Sequence, residues 1–142
     1  MLQAVDGSVK HLALNDCAIS RGGYARLIGV TVQVNGQKAG FYRGDGLVVS
    51  TPTGATGYSL SAGGPLVMPD VDCILITPIC AHSMQNRPMV VPGNAEIILH
   101  LQPDSEVTAS LQIDGQTAGL LHSGDTVTIA KARKAVKLIR LG

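Results

Sequence analysis

The chain contains no tryptophan, one phenylalanine and three tyrosines in 142 residues. A core with so few aromatics has to be packed from Val, Ile, Leu and Ala, a β-branched composition that favours sheet. Charge is scarce and balanced, eleven Lys and Arg against ten Asp and Glu, for a net +1. With neither a basic stripe nor a series of stacking aromatics, no nucleic-acid partner is expected. The basic cluster Lys131, Arg133, Lys134 and Lys137 reads as a solvated hairpin turn. Apolar runs break off within a few residues, so no membrane span is expected. Cys17, Cys73 and Cys80 are odd in number and lack CxxC spacing. That excludes a disulfide framework and points to free thiols in a reducing, cytoplasmic setting. Cys80-Ala81-His82 has no second pair at ligand spacing, so no metal site is expected in this chain.

Glycine and proline are plentiful, at seventeen and seven. Many tight turns, short strands and no long helical period predict one domain over 1–142, a mainly β, antiparallel β-sandwich of roughly nine or ten strands with one short helix. Ile28, Val30, Val32 and Val34 alternate with smaller or polar residues, the two-residue period of a half-buried strand. Asn35-Gly36 then signals a hairpin, and Val34 to Gly40 is echoed by Ile113 to Gly119 around Asp114-Gly115. Cys73 to Thr77 reads as a buried strand ended by Pro78, with a loop from Cys80 to Pro92. Ile97–Leu101, 107–113, 126–130 and 136–141 supply four more strands.

The most unusual stretch is Gly44 to Pro65, GDGLVVSTPTGATGYSLSAGGP. Leu47 to Val49 is a short apolar strand feeding a loop of Ser, Thr, Pro and Gly. Ala55 to Ala62 is helix-compatible and is stopped by Gly63-Gly64-Pro65. Such a loop aims backbone N–H groups and the hydroxyls of Thr51, Thr53, Thr56, Ser59 and Ser61 at one spot, suited to a negative or strongly polar ligand. Spacing alone leaves a plainer reading open, in which Thr53 or Thr56 caps the helix and the glycines only turn the chain. No Lys follows the glycines, which excludes the phosphate loop of nucleotide triphosphatases. Ser59 lacks the second glycine of a serine-hydrolase elbow. Upstream, Asn15-Asp16 interrupts an apolar segment. The pair is suited to vicinal ribose hydroxyls, since both side chains accept from O–H and the amide also donates; a structural turn is the alternative.

Gly44 to Pro65 closely resembles the signature of the NAD kinases, which phosphorylate NAD to NADP. Ala13-Leu14-Asn15-Asp16 is similar to the family's Asn-Glu/Asp motif, and Thr77 to Ser83, Arg87-Pro88 and Ile113 to Gln116 also have counterparts. The resemblance implies a C-terminal domain only. The family's Gly-Gly-Asp-Gly-Thr motif, which handles the phosphate donor and supplies the activating aspartate, occurs nowhere in this sequence. By the same resemblance Asn15 and Asp16 lie at the adenosine ribose, near the 2′-hydroxyl that is phosphorylated, while Thr56, Tyr58 and Ser61 contact the adenine. Thr53 and Gly57 belong to the same pocket wall, Gly57 standing where many relatives have alanine and Ala55 where serine is common. Asp45 reaches the dinucleotide of a neighbouring subunit, with His82 near that boundary. Asp16, Asp45 and Asp114 orient substrate or shape turns, and none is the general base. The implied partners are NAD or NADP here, and ATP or polyphosphate with a divalent metal such as Mg through the other domain, in a homo-oligomer. A non-catalytic sandwich module and a domain of the related lipid kinases remain as alternatives.

Overall fold

The computed structural model describes residues 1–21, 27–56, 63–81, 87–102 and 108–132, with Ala55 and Thr56 described by their backbone alone. Among them, twelve strands form two six-stranded antiparallel sheets. The first runs β2 (Val9–Ala13), β1 (Leu2–Asp6), β12 (Thr126–Lys131), β9 (Ile97–Leu101), β4 (Ile28–Val34) and β5 (Gln37–Gly44). The second runs β11 (Gln116–His122), β10 (Thr108–Ile113), β3 (Asp16–Ser20), β6 (Gly46–Ser50), β7 (Cys73–Ile79) and β8 (Met89–Pro92). Leu2, Val30, Val32, Leu99 and Ile129 of the first sheet meet Cys17, Ile19, Leu47, Val49 and Ile76 of the second in one aliphatic core. Truncating a fully buried member such as Leu47 to alanine typically costs about 2–5 kcal/mol.

Three expectations need correction. Pro78 does not end its strand, because β7 continues to Ile79. The Ile79 carbonyl accepts from Asp45 N on the β6 side, so the backbone of Pro78 faces the other way. There the pairing with β8 stops at Ile76, and the missing N–H leaves no ladder bond unmade. The span from Cys80 to Pro92 is not all loop, since Met89–Pro92 forms the edge strand β8. The strand count of nine or ten was also too low: the β1–β2 hairpin turns at Gly7, whose φ of 59° suits the first central position of a type II′ turn. The helix expected beyond Thr56 and the strand expected at 136–141 lie outside the described residues, and only a 3-10 turn at Thr53–Thr56 precedes the former.

The central strands of the second sheet are buried on both faces, unlike an ordinary half-solvated antiparallel strand. Cys17 and Ile19 of β3 face the core. Register then puts Asp16, Ser50 and Leu75 in one row of the opposite face, and Ala18, Val48 and Thr77 in the next. Ser110 joins this face beside Ser20. Val67 packs on Cys73 and Leu75 there. The face mixes Asp16, Ser20, Ser50, Thr77 and Ser110 with aliphatics, where the core face is apolar throughout.

Candidate functional site

Asn15 is held by its backbone from two sides. The β10–β11 hairpin turns through Asp114 and Gly115 at φ of 50° and 81°, both in the left-handed region that a type I′ turn requires. That turn carries the Asp114 carboxylate to the β2–β3 corner. Oδ2 accepts from Leu14 N at 2.9 Å, and Oδ1 accepts from Asn15 N at 2.7 Å and Asp16 N at 3.1 Å. Asp114 N donates back to the Asp16 carbonyl at 3.0 Å. From the other side Thr51 N donates to the Asn15 carbonyl at 3.0 Å. The Thr51 hydroxyl lies 3.1 Å from the Leu14 carbonyl and 3.3 Å from that of Asn15, and it accepts from Gly54 N at 3.0 Å. Gly54 packs so closely that a Cβ there would sit 2.0 Å from the Asn15 oxygen. The brace uses main-chain groups of Asn15 and leaves its side chain exposed, ordered at its base and available to a ligand.

Asp16 starts β3 and is 6% exposed. Burial pushes its carboxyl above the usual carboxylate range, and the nearby Asp114 charge adds to the effect. The Cys17 thiol, fully buried on the core face, is pushed up to about 12 by burial and then by Asp16 and Asp114, so it is inert as a nucleophile. No ion pair with Asp16 occurs among the described residues. Directly across the ladder stands Ser50, whose buried Oγ has no hydrogen-bond partner among the described residues. A carboxylate desolvated in this way gains most from a hydroxyl that donates to it.

Thr53 is exposed at the start of the 3-10 turn, two residues beyond the Thr51 brace. A cleft of about 320 Å³ opens beside it, walled by Leu14, Thr51, Pro52, Thr53, Val71 and Ile74, with Asp72 and Lys131 paired at its rim at 3.4 Å.

Asp45 lies elsewhere. It occupies the corner where the chain leaves β5 in one sheet and enters β6 in the other. Asp16 pairs with Ser50 at one end of β6 and Ser20 pairs with Gly46 at the other, so Asp45 is separated from the Asn15 brace by the length of a five-residue strand, about 16 Å. Its N–H donates to the Ile79 carbonyl at 3.0 Å, its carbonyl accepts from Arg21 N at 2.9 Å, and Oδ1 lies 2.6 Å from Arg21 Nε.

Of the residues singled out from the sequence, Asn15, Asp16 and Thr53 come together around one brace, while Asp45 does not join them within the chain. Gly57, Tyr58, Ser61 and His82, and the side chain of Thr56, lie outside the described residues. Thr51, read as a ligand donor, spends its hydroxyl on the brace. Arg21 is absent from the sequence reading, which gives Asp114 only a part in orienting substrate or shaping a turn. The echo between the two hairpins held a signal for Asp114. Asn35 Oδ1 caps a single N–H, that of Glu96, whereas Asp114 caps three, which requires both oxygens of a carboxylate.

The family described as ATP-NAD kinase C-terminal domain matches residues 14–141. The chain belongs to that family. It is 45% identical to an NAD kinase of Citrifermentans bemidjiense over 92% of this chain and 45% of the relative. Identity with an NAD kinase of Lachnoclostridium phytofermentans is 43%, over 94% of this chain and 48% of the relative. The chain thus spans about half the length of the curated relatives it matches. The fold superposes on yeast NADH kinase complexed with NADH with a TM-score of 0.86 at 33% identity, covering 91% of this chain and 39% of the other. An Archaeoglobus fulgidus NAD kinase in complex with ATP gives 0.78 at 29%, covering 94% and 51%. Membership favours the nucleotide-kinase reading over a lipid-kinase-related domain or a sandwich without chemistry.

Proposed function

We propose that this domain is the acceptor-holding half of a NAD kinase. In this reading it binds NAD or its product NADP and orients the adenosine ribose for phosphorylation at the 2′-hydroxyl. The observation that carries the proposal is the Asn15–Asp16 brace. A main chain fixed by Asp114, Thr51 and Gly54 presents an exposed carboxamide next to a buried carboxylate that has no cation partner among the described residues. Such a pair can accept from two neighbouring hydroxyls and donate to one. Phosphoryl transfer depends chiefly on positioning and charge neutralisation, and positioning the acceptor is what these residues are built to do. Thr53, Thr56, Gly57, Tyr58 and Ser61 would complete the wall against the adenine.

The phosphoryl donor, ATP or polyphosphate, belongs in this reading to a partner domain, together with the aspartate that activates the hydroxyl. A divalent metal would neutralise donor phosphates there. Asp16 and Asp114 do not suit a metal, because Asp114 spends both oxygens on backbone N–H groups, so no step on this domain is assigned to one. The distance of Asp45 from the brace favours its serving, with His82, the site of a neighbouring subunit in a cytoplasmic homo-oligomer.

Replacing Asn15 by alanine in an assembled two-domain kinase is expected to weaken NAD binding by roughly 1–3 kcal/mol, because polar ligand groups lose a partner. Calorimetry checks this, and unchanged affinity would remove Asn15 from the ribose.

A further inference from the structure

The corner at Asp45 is fixed more firmly than a turn requires. A Cβ on Gly44 would meet the Cys80 carbonyl oxygen at 2.7 Å and one on Gly46 would meet that of Ile19 at 2.1 Å, so the glycines on both sides are closed in by backbone of β3 and of the segment after β7. Between them both main-chain polar groups of Asp45 are bonded, to Ile79 and to Arg21. With the backbone immobilised, the carboxylate retains only its side-chain torsions. Arg21 restrains those through the contact of its Nε with Oδ1. The second oxygen has no hydrogen bond or ion pair among the described residues. Both side chains are about one third exposed, at 31% and 33%. A surface ion pair of this kind does little for stability, so its geometric effect on the carboxylate is the larger consequence.

We infer that Arg21 is a positioning residue for substrate binding. By clamping Oδ1 of Asp45 it turns Oδ2 outward as a preorganised acceptor for an N–H or O–H donor of the dinucleotide. The inference rests on the reading above that Asp45 contacts that ligand. A carboxylate already locked by a cation loses less rotamer freedom when the ligand arrives. A hydrogen bond to a carboxylate is about twice as strong as one to a neutral acceptor.

The test is a double-mutant cycle in the assembled two-domain kinase, with thermal melts alongside. Arg21→Gln is expected to raise KM for NAD about tenfold while kcat changes less than about threefold, the size of one charge-assisted hydrogen bond. Arg21→Lys should recover part of the loss. The double variant Arg21→Gln/Asp45→Asn should bind NAD no worse than Asp45→Asn alone, since the positioning effect on the ligand runs through the Asp45 carboxylate. Additive losses in the double variant, or an unchanged KM in Arg21→Gln when Asp45→Asn raises it, would overturn the positioning role. A different failure, an unchanged KM in Asp45→Asn itself, would remove Asp45 from the dinucleotide site and the role of Arg21 with it. Should Arg21→Gln fold poorly, Arg21→Lys carries the cycle in its place.

Discussion

Asp16 is held where its charge costs stability. Its carboxyl pKa in the fold is raised above the ordinary value of 3.8, first by burial and then by Asp114. The sign follows from proton counting: between the unfolded value and the raised folded value the native state binds more protons than the unfolded state. Stability from this group is therefore fully present below the unfolded pKa and is lost as pH rises through the folded one. Asp16→Asn removes that loss. Its stability advantage over the parent should be absent near pH 3, grow as pH rises and persist at pH 7, while NAD affinity falls. Urea unfolding across this range is the measurement, and a variant less stable than the parent at pH 7 would mean that Asp16 has a stabilising partner. Such a trade between stability and binding is common at functional sites.

At the scale of elements, the site is a meeting of three turns. The β2–β3 corner supplies Asn15 and Asp16, the proposed ligand groups, the β10–β11 hairpin supplies Asp114, and the turn after β6 supplies Thr51 and Gly54. Each turn is legible alone, since Asp-Gly marks the hairpin and Thr-Pro-Thr-Gly marks the loop. Their convergence is not legible, because Asn15 and Asp114 are 99 positions apart. Gly54 tests the convergence. A methyl group there would collide with the Asn15 carbonyl, which lies 2.0 Å from the Cβ position. Gly54→Ala is expected to destabilise the fold by about 1–3 kcal/mol, the usual cost of overpacking, and to weaken NAD binding by displacing Asn15 or the loop. Chemical denaturation and calorimetry read the two effects, and a variant that keeps parental stability and affinity would show that the contact gives way freely.

For the whole molecule, the two sheets share one aliphatic core and leave the outer face of β3, β6 and β7, which carries Asp16, Ser50 and Thr77, next to the brace. If the donor phosphates and the activating carboxylate belong to another domain, this chain alone can hold one reactant but cannot align two. Forfeiting that alignment removes about 7–11 kcal/mol of barrier lowering. The isolated chain is therefore expected to fold, to bind NAD or NADP weakly, and to show no NAD kinase activity with ATP or polyphosphate until a separately produced N-terminal domain is added. A coupled assay for NADP decides the matter. Turnover by the chain alone would make a carboxylate such as Asp16 or Asp45 the base.

The sequence by itself determined the class of the fold, through aliphatic composition, two-residue alternation at 28–34 and the Asn-Gly and Asp-Gly turns, and it determined the family through the run from Gly44 to Pro65. These are local signals, carried by neighbours in the chain. Only the tertiary structure decided that Asp114 caps the Asn15 corner and that Thr51 braces it. It also decided that Pro78 is tolerated inside a strand and that Asp45 stands a full strand away from Asp16. Each of those depends on which segments become neighbours across a sheet. Pro78 is harmless because of where β8 stops, and Asp114 matters because β10 pairs with β3. Pairing of that kind is set by long-range register, which the period of a single strand does not encode.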